Sequence, residues 1–204
     1  MSDSNVVAPL LGTRVHLEPL SLEHCTALAA ATAEDRTTYG FTLVPRGIAA
    51  MTSEVEGLLS GFEVGDVVPF AQRDVATNRL VGMTRFMTLR KRPGGLFPYA
   101  LEIGGTWLAS SAQRTGINTE AKFLLLRFAF ERWGVSRVEL KTDVRNERSR
   151  AAVTRLGATF EGVLRHYQPS LVTGEEACYR DTAMFSIVDD EWPRVKAHIL
   201  SLMR

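Results

Sequence analysis

At 204 residues the chain is long enough to bury a core of its own, and a single domain is expected over two small ones. Apolar residues make up 45% and charged residues 23%, a globular balance that argues against disorder. Lys plus Arg number 24 against 23 Asp plus Glu, so no global field favours nucleic acid or an anionic membrane, and any anion site must be local. Cys25 and Cys178 stand far apart in no C-x-x-C arrangement, which gives neither a zinc site nor a disulfide framework and points to a reducing compartment. The N-terminal "MSDSNVVAPLLG" has no basic region and no long apolar run, so neither a signal peptide nor a membrane span is expected, and the cytoplasm is the expected location.

In chain order, "TRVHLEPL" alternates Val15 and Leu17 against charged neighbours, as a half-buried strand does, and Pro19 marks its end. "SLEHCTALAAATAED" opens on Ser21 as an N-cap and reads as a helix. A second helix, "GIAAMTSEVEGLLSGFEVG", ends near Gly61 or Gly65. "DVVPFAQRDVATNRLVGMTRFMTL" predicts two strands around the turn "ATNR". After the loop "KRPGG", the strand "FPYALEIGGTWLA" carries paired glycines, Gly104 and Gly105, that suggest a bulge. Ala121, Leu124, Leu125, Phe128 and Ala129 then recur at helical spacing, with Gly134 as a stop. "SRVELKTDV" is a strand, and strand, helix, strand in that order implies a parallel crossover. "NERSRAAVTRLGA" is a helix capped by Asn146, "TFEGVLRHYQPSL" and "CYRDTAMFSIV" are two closing strands, and "DDEWPRVKAHILSLMR" is a terminal helix with Trp192 in the core. The class is α+β, with antiparallel strands and one parallel crossover at the middle.

The stretch "SSAQRTGINTEAK" sets a donor-rich polar turn with one glycine, Gly116, before an apolar helix. The first N–H groups of a helix lack internal partners and face outward at the positive end of its dipole, which suits a phosphate. No G-x-x-x-x-G-K-[ST] and no G-x-G-x-x-G occurs, so this is neither a P-loop nor a dinucleotide turn. Asn146 and Ser149, three apart, share a helix face.

"EIGGTWLASSAQRTGINTEAK" followed by "VELKTDVRNERSRAAVTRLGATFEGVLR" resembles the GCN5-related N-acetyltransferases (GNAT), and within them the branch of the ribosomal-protein N-terminal acetyltransferases. The resemblance implies a mostly antiparallel sheet of about seven strands with a central splayed parallel pair and helices on both faces. It implies that the turn grips the pyrophosphate of acetyl-CoA through Gln113, Arg114, Thr115, Gly116, Ile117, Asn118 and Thr119, with Lys122 reaching a CoA phosphate or standing solvated. Asn118 takes the place of a small residue, and its tolerance of left-handed dihedrals would preserve the loop. Pantetheine would pair along Trp107 and Leu108, the Leu108 amide polarising the thioester carbonyl. Asn146 and Ser149 would meet the sulfur end. The family's tyrosine acid falls at Val153, leaving Ser149 to attend the leaving thiolate. Glu102 is the expected base, with His166 or a water as alternatives. The implied partners are acetyl-CoA and an amine acceptor, a protein N-terminus or a small molecule, with a homodimer left open and no metal required. Two other readings stay beside it: transfer from another acyl-CoA such as succinyl-CoA, with Arg85 or Arg114 pairing the second carboxylate, and acyl-CoA binding without turnover.

Overall fold

The structure, a computed structural model, describes residues 8–204. Most of the N-terminal stretch read for a leader, residues 1–7, lies outside the described residues. Among the described residues eight strands form one sheet: β1 (Leu10–Leu11), β2 (Val15–Pro19), β3 (Val67–Asp74), β4 (Leu80–Lys91), β5 (Pro98–Leu108), β6 (Arg137–Asp143), β7 (Thr159–Pro169) and β8 (Tyr179–Val188), in spatial order β1-β2-β3-β4-β5-β6-β8-β7. Every pairing is antiparallel except β5 with β6. Among the described residues five α-helices accompany them: α1 (Cys25–Ala31), α2 (Gly47–Glu63), α3 (Ile117–Glu131), α4 (Glu147–Arg155) and α5 (Trp192–Leu202). The sheet exceeds the expected seven strands because two-residue β1, too short for an alternation to show, adds a strand on β2.

Register assigns the faces. Val68 pairs with Phe86 and Phe70 with Thr84, so their side chains share one face, where Phe86 stacks on Phe128 of α3 at 6.1 Å. The opposite face carries Arg85, whose Nη1 donates to Glu54 Oε1 of α2 at 3.1 Å. Helices thus cover both faces, and the central strands are apolar on both, as β3 is from Val67 to Ala71. Trp192 is buried at the start of α5, stacked on Phe130 at 5.2 Å and donating Nε1 to Glu131 at 3.0 Å. Cys25 is buried, Cys178 is exposed, and neither is bridged. No described helix is long and apolar enough to cross a membrane.

Candidate active site

β5 and β6 pair in parallel only through Ala100↔Arg137, Leu101↔Val138 and Glu102↔Glu139. Beyond Glu102 the strands run on, to Leu108 and Asp143, without further pairing, so the sheet opens into a splay. The bulge at Gly104 and Gly105 begins it: Gly105 holds φ +57, a left-handed conformation, and the register with β4 shifts there. At the far end Ala109 N donates to Val81 O of β4 at 2.7 Å. Successive peptide groups alternate sides along a strand, so the Leu108 N–H and C=O face the splay. Leu108 O accepts from Gln113 Nε2 at 3.0 Å.

The polar turn closes the head of the splay. Arg114 (φ 63) and Gly116 (φ 89) are left-handed, and α3 starts at Ile117. The amides of Arg114 to Thr119 donate to no acceptor among the described residues. They are the unpaired donors of a helix start, directed at the solvent-facing turn. Asn118 does not take the left-handed position expected of it; it lies in the first turn of α3, and Arg114 supplies that dihedral instead. A Cβ on Gly116 would collide with Arg14 Nη1, so a guanidinium from the β1–β2 connection sits against the turn. Arg155 Nη2 donates to Thr119 Oγ1 at 3.1 Å from α4. The turn is braced on its other side by Glu34, which accepts from Ser111 N at 2.8 Å and from both Ser110 and Ser111 hydroxyls. Thr115 Oγ1 donates to Ala112 O at 2.7 Å.

Lys122 departs from both readings of the sequence. It is buried in α3, its Nζ donating to Thr106 Oγ1 at 2.6 Å, too far inside to be a solvated residue. Burial lowers its pKa to about 7, with Glu102 opposing. Arg14 and Arg155 instead stand beside the polar turn, two residues that no local motif marks.

Glu102 is 3% exposed on the α2 face, paired through Oε2 with Lys141 Nζ at 2.9 Å. Lys141 in turn lies 5.0 Å from the centre of the Tyr167 ring. Glu102 sits where the parallel pairing ends, at the vertex of the splay. His166 is exposed, at φ 49, with its ring stacked on Tyr179 at 6.0 Å. A bulge in β7 between Leu164 and Gln168 turns His166 outward, while its neighbour Tyr167 reaches Lys141. Asn146 is the N-cap of α4, accepting from Ser149 N at 3.0 Å, and Ser149 is half-buried on that face. Trp107 is buried and meets the edge of Tyr39, at the end of the turn over Arg36–Tyr39, at 6.3 Å. Arg85 is committed to Glu54, and Arg114 is exposed.

On the same face as Glu102 and Lys141, β8 brings in Arg180, 7% exposed, which the sequence reading passed over because a strand arginine carries no local signature. Burial lowers its pKa, and Asp143 and Glu102 oppose the shift. Asp143 itself binds Arg145 at 2.8 Å, and Arg145 also binds Glu175 at 2.9 Å in the β7–β8 connection.

An open mixed sheet with one splayed parallel pair, headed by free amides at a helix start, is the architecture of an acyl-CoA transferase. The chain belongs to the GNAT acetyltransferases: the family model for the acetyltransferase (GNAT) domain matches residues 14–159. It is similar to a GCN5-related N-acetyltransferase from Brucella melitensis, with 30% identity, a TM-score of 0.81, and 96% of this chain and 85% of that one covered. It is also similar to Bacillus subtilis YdaF, a protein named for ribosomal N-acetylation, at 34% identity over 88 residues; the match spans 43% of this chain and 45% of YdaF, less than half the length of that curated relative. Mycobacterium smegmatis RimJ, solved with CoA-disulfide, shares the fold at a TM-score of 0.77 and 22% identity, with 93% of this chain and 90% of that one covered.

Proposed function

We propose that this enzyme carries an acetyl group from acetyl-CoA directly to a primary amine, in the cytoplasm, with no covalent enzyme intermediate. The observation that carries the reading is the arrest of parallel pairing at Glu102↔Glu139 below a turn of unpaired amides. A phosphate at that turn satisfies donors that otherwise face only water, and Arg14 adds charge beside it. The pantetheine amides then lie along β5 as an added strand, offered the Leu108 C=O that Gln113 now holds. RimJ, solved with CoA-disulfide, supports the idea that this fold accepts that chain.

In the transfer, the amine nitrogen bonds to the acetyl carbon, the C–S bond breaks, and one proton leaves the nitrogen. Glu102, at the vertex and held by Lys141, takes that proton directly or through a water. Leu108 N–H steadies the carbonyl oxygen as charge develops there. Ser149 faces the departing thiolate, a leaving group of pKa near 8.5 that tolerates a weak acid. An α-amine near 7.7 to 8 keeps a substantial neutral fraction at physiological pH and asks less of a base paired with a lysine, so a protein or peptide N-terminus fits better than a lysine near 10.4.

A panel of amines and peptides with several acyl-CoA donors, read by release of free thiol, tests the reading. Glu102→Gln keeps the volume and removes the acceptor of the proton; kcat/KM is expected to fall by roughly 10² to 10⁴ while calorimetry finds acetyl-CoA affinity retained. A near-full rate with an unaltered pH profile would remove Glu102 from this role.

A further inference from the structure

On the face of Glu102 and Lys141, Arg180 is a buried polar group left incompletely satisfied. The residue is more than nine-tenths buried, its Nε is enclosed with no hydrogen-bond partner among the described residues, and no carboxylate among them comes within ion-pair distance of it. The nearest candidates are taken: Glu102 by Lys141 and Asp143 by Arg145. They attract Arg180 without bonding it. Thr182 Oγ1, two residues further along β8 and so on the same face, is also buried without a partner among the described residues. The pairing of Thr182 with Asp143, and of Glu102 with Glu139, puts this pair of idle donors on the face that Glu102 occupies. A buried guanidinium left with spare donors is costly unless something completes it, and its fork is the natural partner of a carboxylate.

We propose that Arg180, with Thr182 beside it, receives a carboxylate carried by the acceptor, so that the preferred amines are acidic ones, such as N-termini followed by Asp or Glu. The inference rests on the acetyl-transfer reading above. β8 lies across β6 from the splay, beside the connection that Arg145 ties through Glu175, and this favours the acceptor over a dicarboxylic acyl group lying in the splay itself.

The test pairs two peptides, one beginning Ala-Asp and one otherwise identical beginning Ala-Asn, with acetyl-CoA. Wild type is expected to prefer the acidic peptide by roughly 10- to 100-fold in kcat/KM, chiefly through KM, as a charge-assisted hydrogen bond would give. Arg180→Gln is expected to erase the ratio and Arg180→Lys to restore part of it, with thermal melts checking that each variant folds. Equal rates of wild type on the two peptides overturn the proposal. A second arm compares succinyl-CoA with acetyl-CoA on the Ala-Asn peptide: if Arg180→Gln lowers only the use of succinyl-CoA, the carboxylate belongs to the donor and the acceptor assignment falls. If no amine releases thiol from any donor, acetyl transfer itself is refuted. Calorimetric titration of the two peptides into CoA-loaded wild type and Arg180→Gln protein then decides the Arg180 site alone, equal affinities overturning it.

Discussion

Lys122 places an amine in the interior with one hydroxyl for company, and burial brings its pKa from 10.5 to about 7. Between those values the unfolded chain holds a proton that the folded chain has released. Stability should therefore rise with pH across that window, by at most about 1.4 kcal/mol per pH unit, while below pH 7 the cost of burying the charge is felt in full. Lys122→Met should flatten the slope, and denaturant melts at pH 6.5, 8 and 9.5 would check it; an unchanged slope would mean that Lys122 is not the group responsible. Residues of this kind mark the limit of what the sequence disclosed. Glu102, Gln113, Gly116 and Asn146 were legible because each stands beside a local pattern: a glycine bulge, a polar turn or a helix cap. Lys141, Arg14 and Arg180 were not, since their importance comes from neighbours far along the chain, and a charged residue on a strand usually signifies only a wet face. The same bias makes a solvated helix residue one of the two readings of Lys122.

α3 is the element that ties the turn to the rest of the molecule. Glu120 reaches back to the β1–β2 connection, accepting from Thr13 N at 3.0 Å, Thr13 Oγ1 at 2.8 Å, Arg14 N at 2.6 Å and Val15 N at 2.9 Å. Burial alone would raise its pKa, but the hydrogen bonds from Arg14, Thr13 and Val15 reverse this and leave it lowered. Its contribution is thus complete above the ordinary carboxylate range and disappears as acid titrates the folded form. Glu120→Gln turns an amide group toward backbone donors that need an acceptor, so a loss of about 2 to 4 kcal/mol is expected, read as a fall in Tm at pH 7; a Tm within a degree of wild type would refute the clamp. Periodicity found the helix from Ala121, Leu124, Leu125 and Phe128, because those positions do face the sheet. It did not reveal that the other side is also enclosed, against α5 and the β1–β2 connection. The short 3-10 turn over Arg36–Tyr39 was equally hidden, having too few residues for any period, although Tyr39 packs on Trp107.

Across the whole molecule, strands β1 to β5 and the group β6, β8 and β7 are two half-sheets joined along three parallel residue pairs. A side-chain bridge crosses near the open end: Arg148 of α4 donates to Gln113 Oε1 at 3.1 Å and to Thr38 O at 2.5 Å, while Gln113 donates to Thr38 Oγ1 and Leu108 O, both at 3.0 Å. Gln113 thereby occupies the carbonyl that a pantetheine amide would use. Arg148→Ala releases it, and acetyl-CoA should bind roughly three- to tenfold more tightly by calorimetry; weaker binding would show that the arginine serves the ligand instead. On the proposed function the thioester's own chain supplies the stitches missing between the halves, and a ligand that binds only the folded form adds RT ln(1 + [L]/Kd) to its stability. Amide exchange along Ile103–Leu108 and Leu140–Asp143 would then slow when acetyl-CoA is plentiful and quicken when it is scarce. The resilience of the protein would follow the nutritional state of its cell, a starved cell holding a looser copy of the same chain than a fed one.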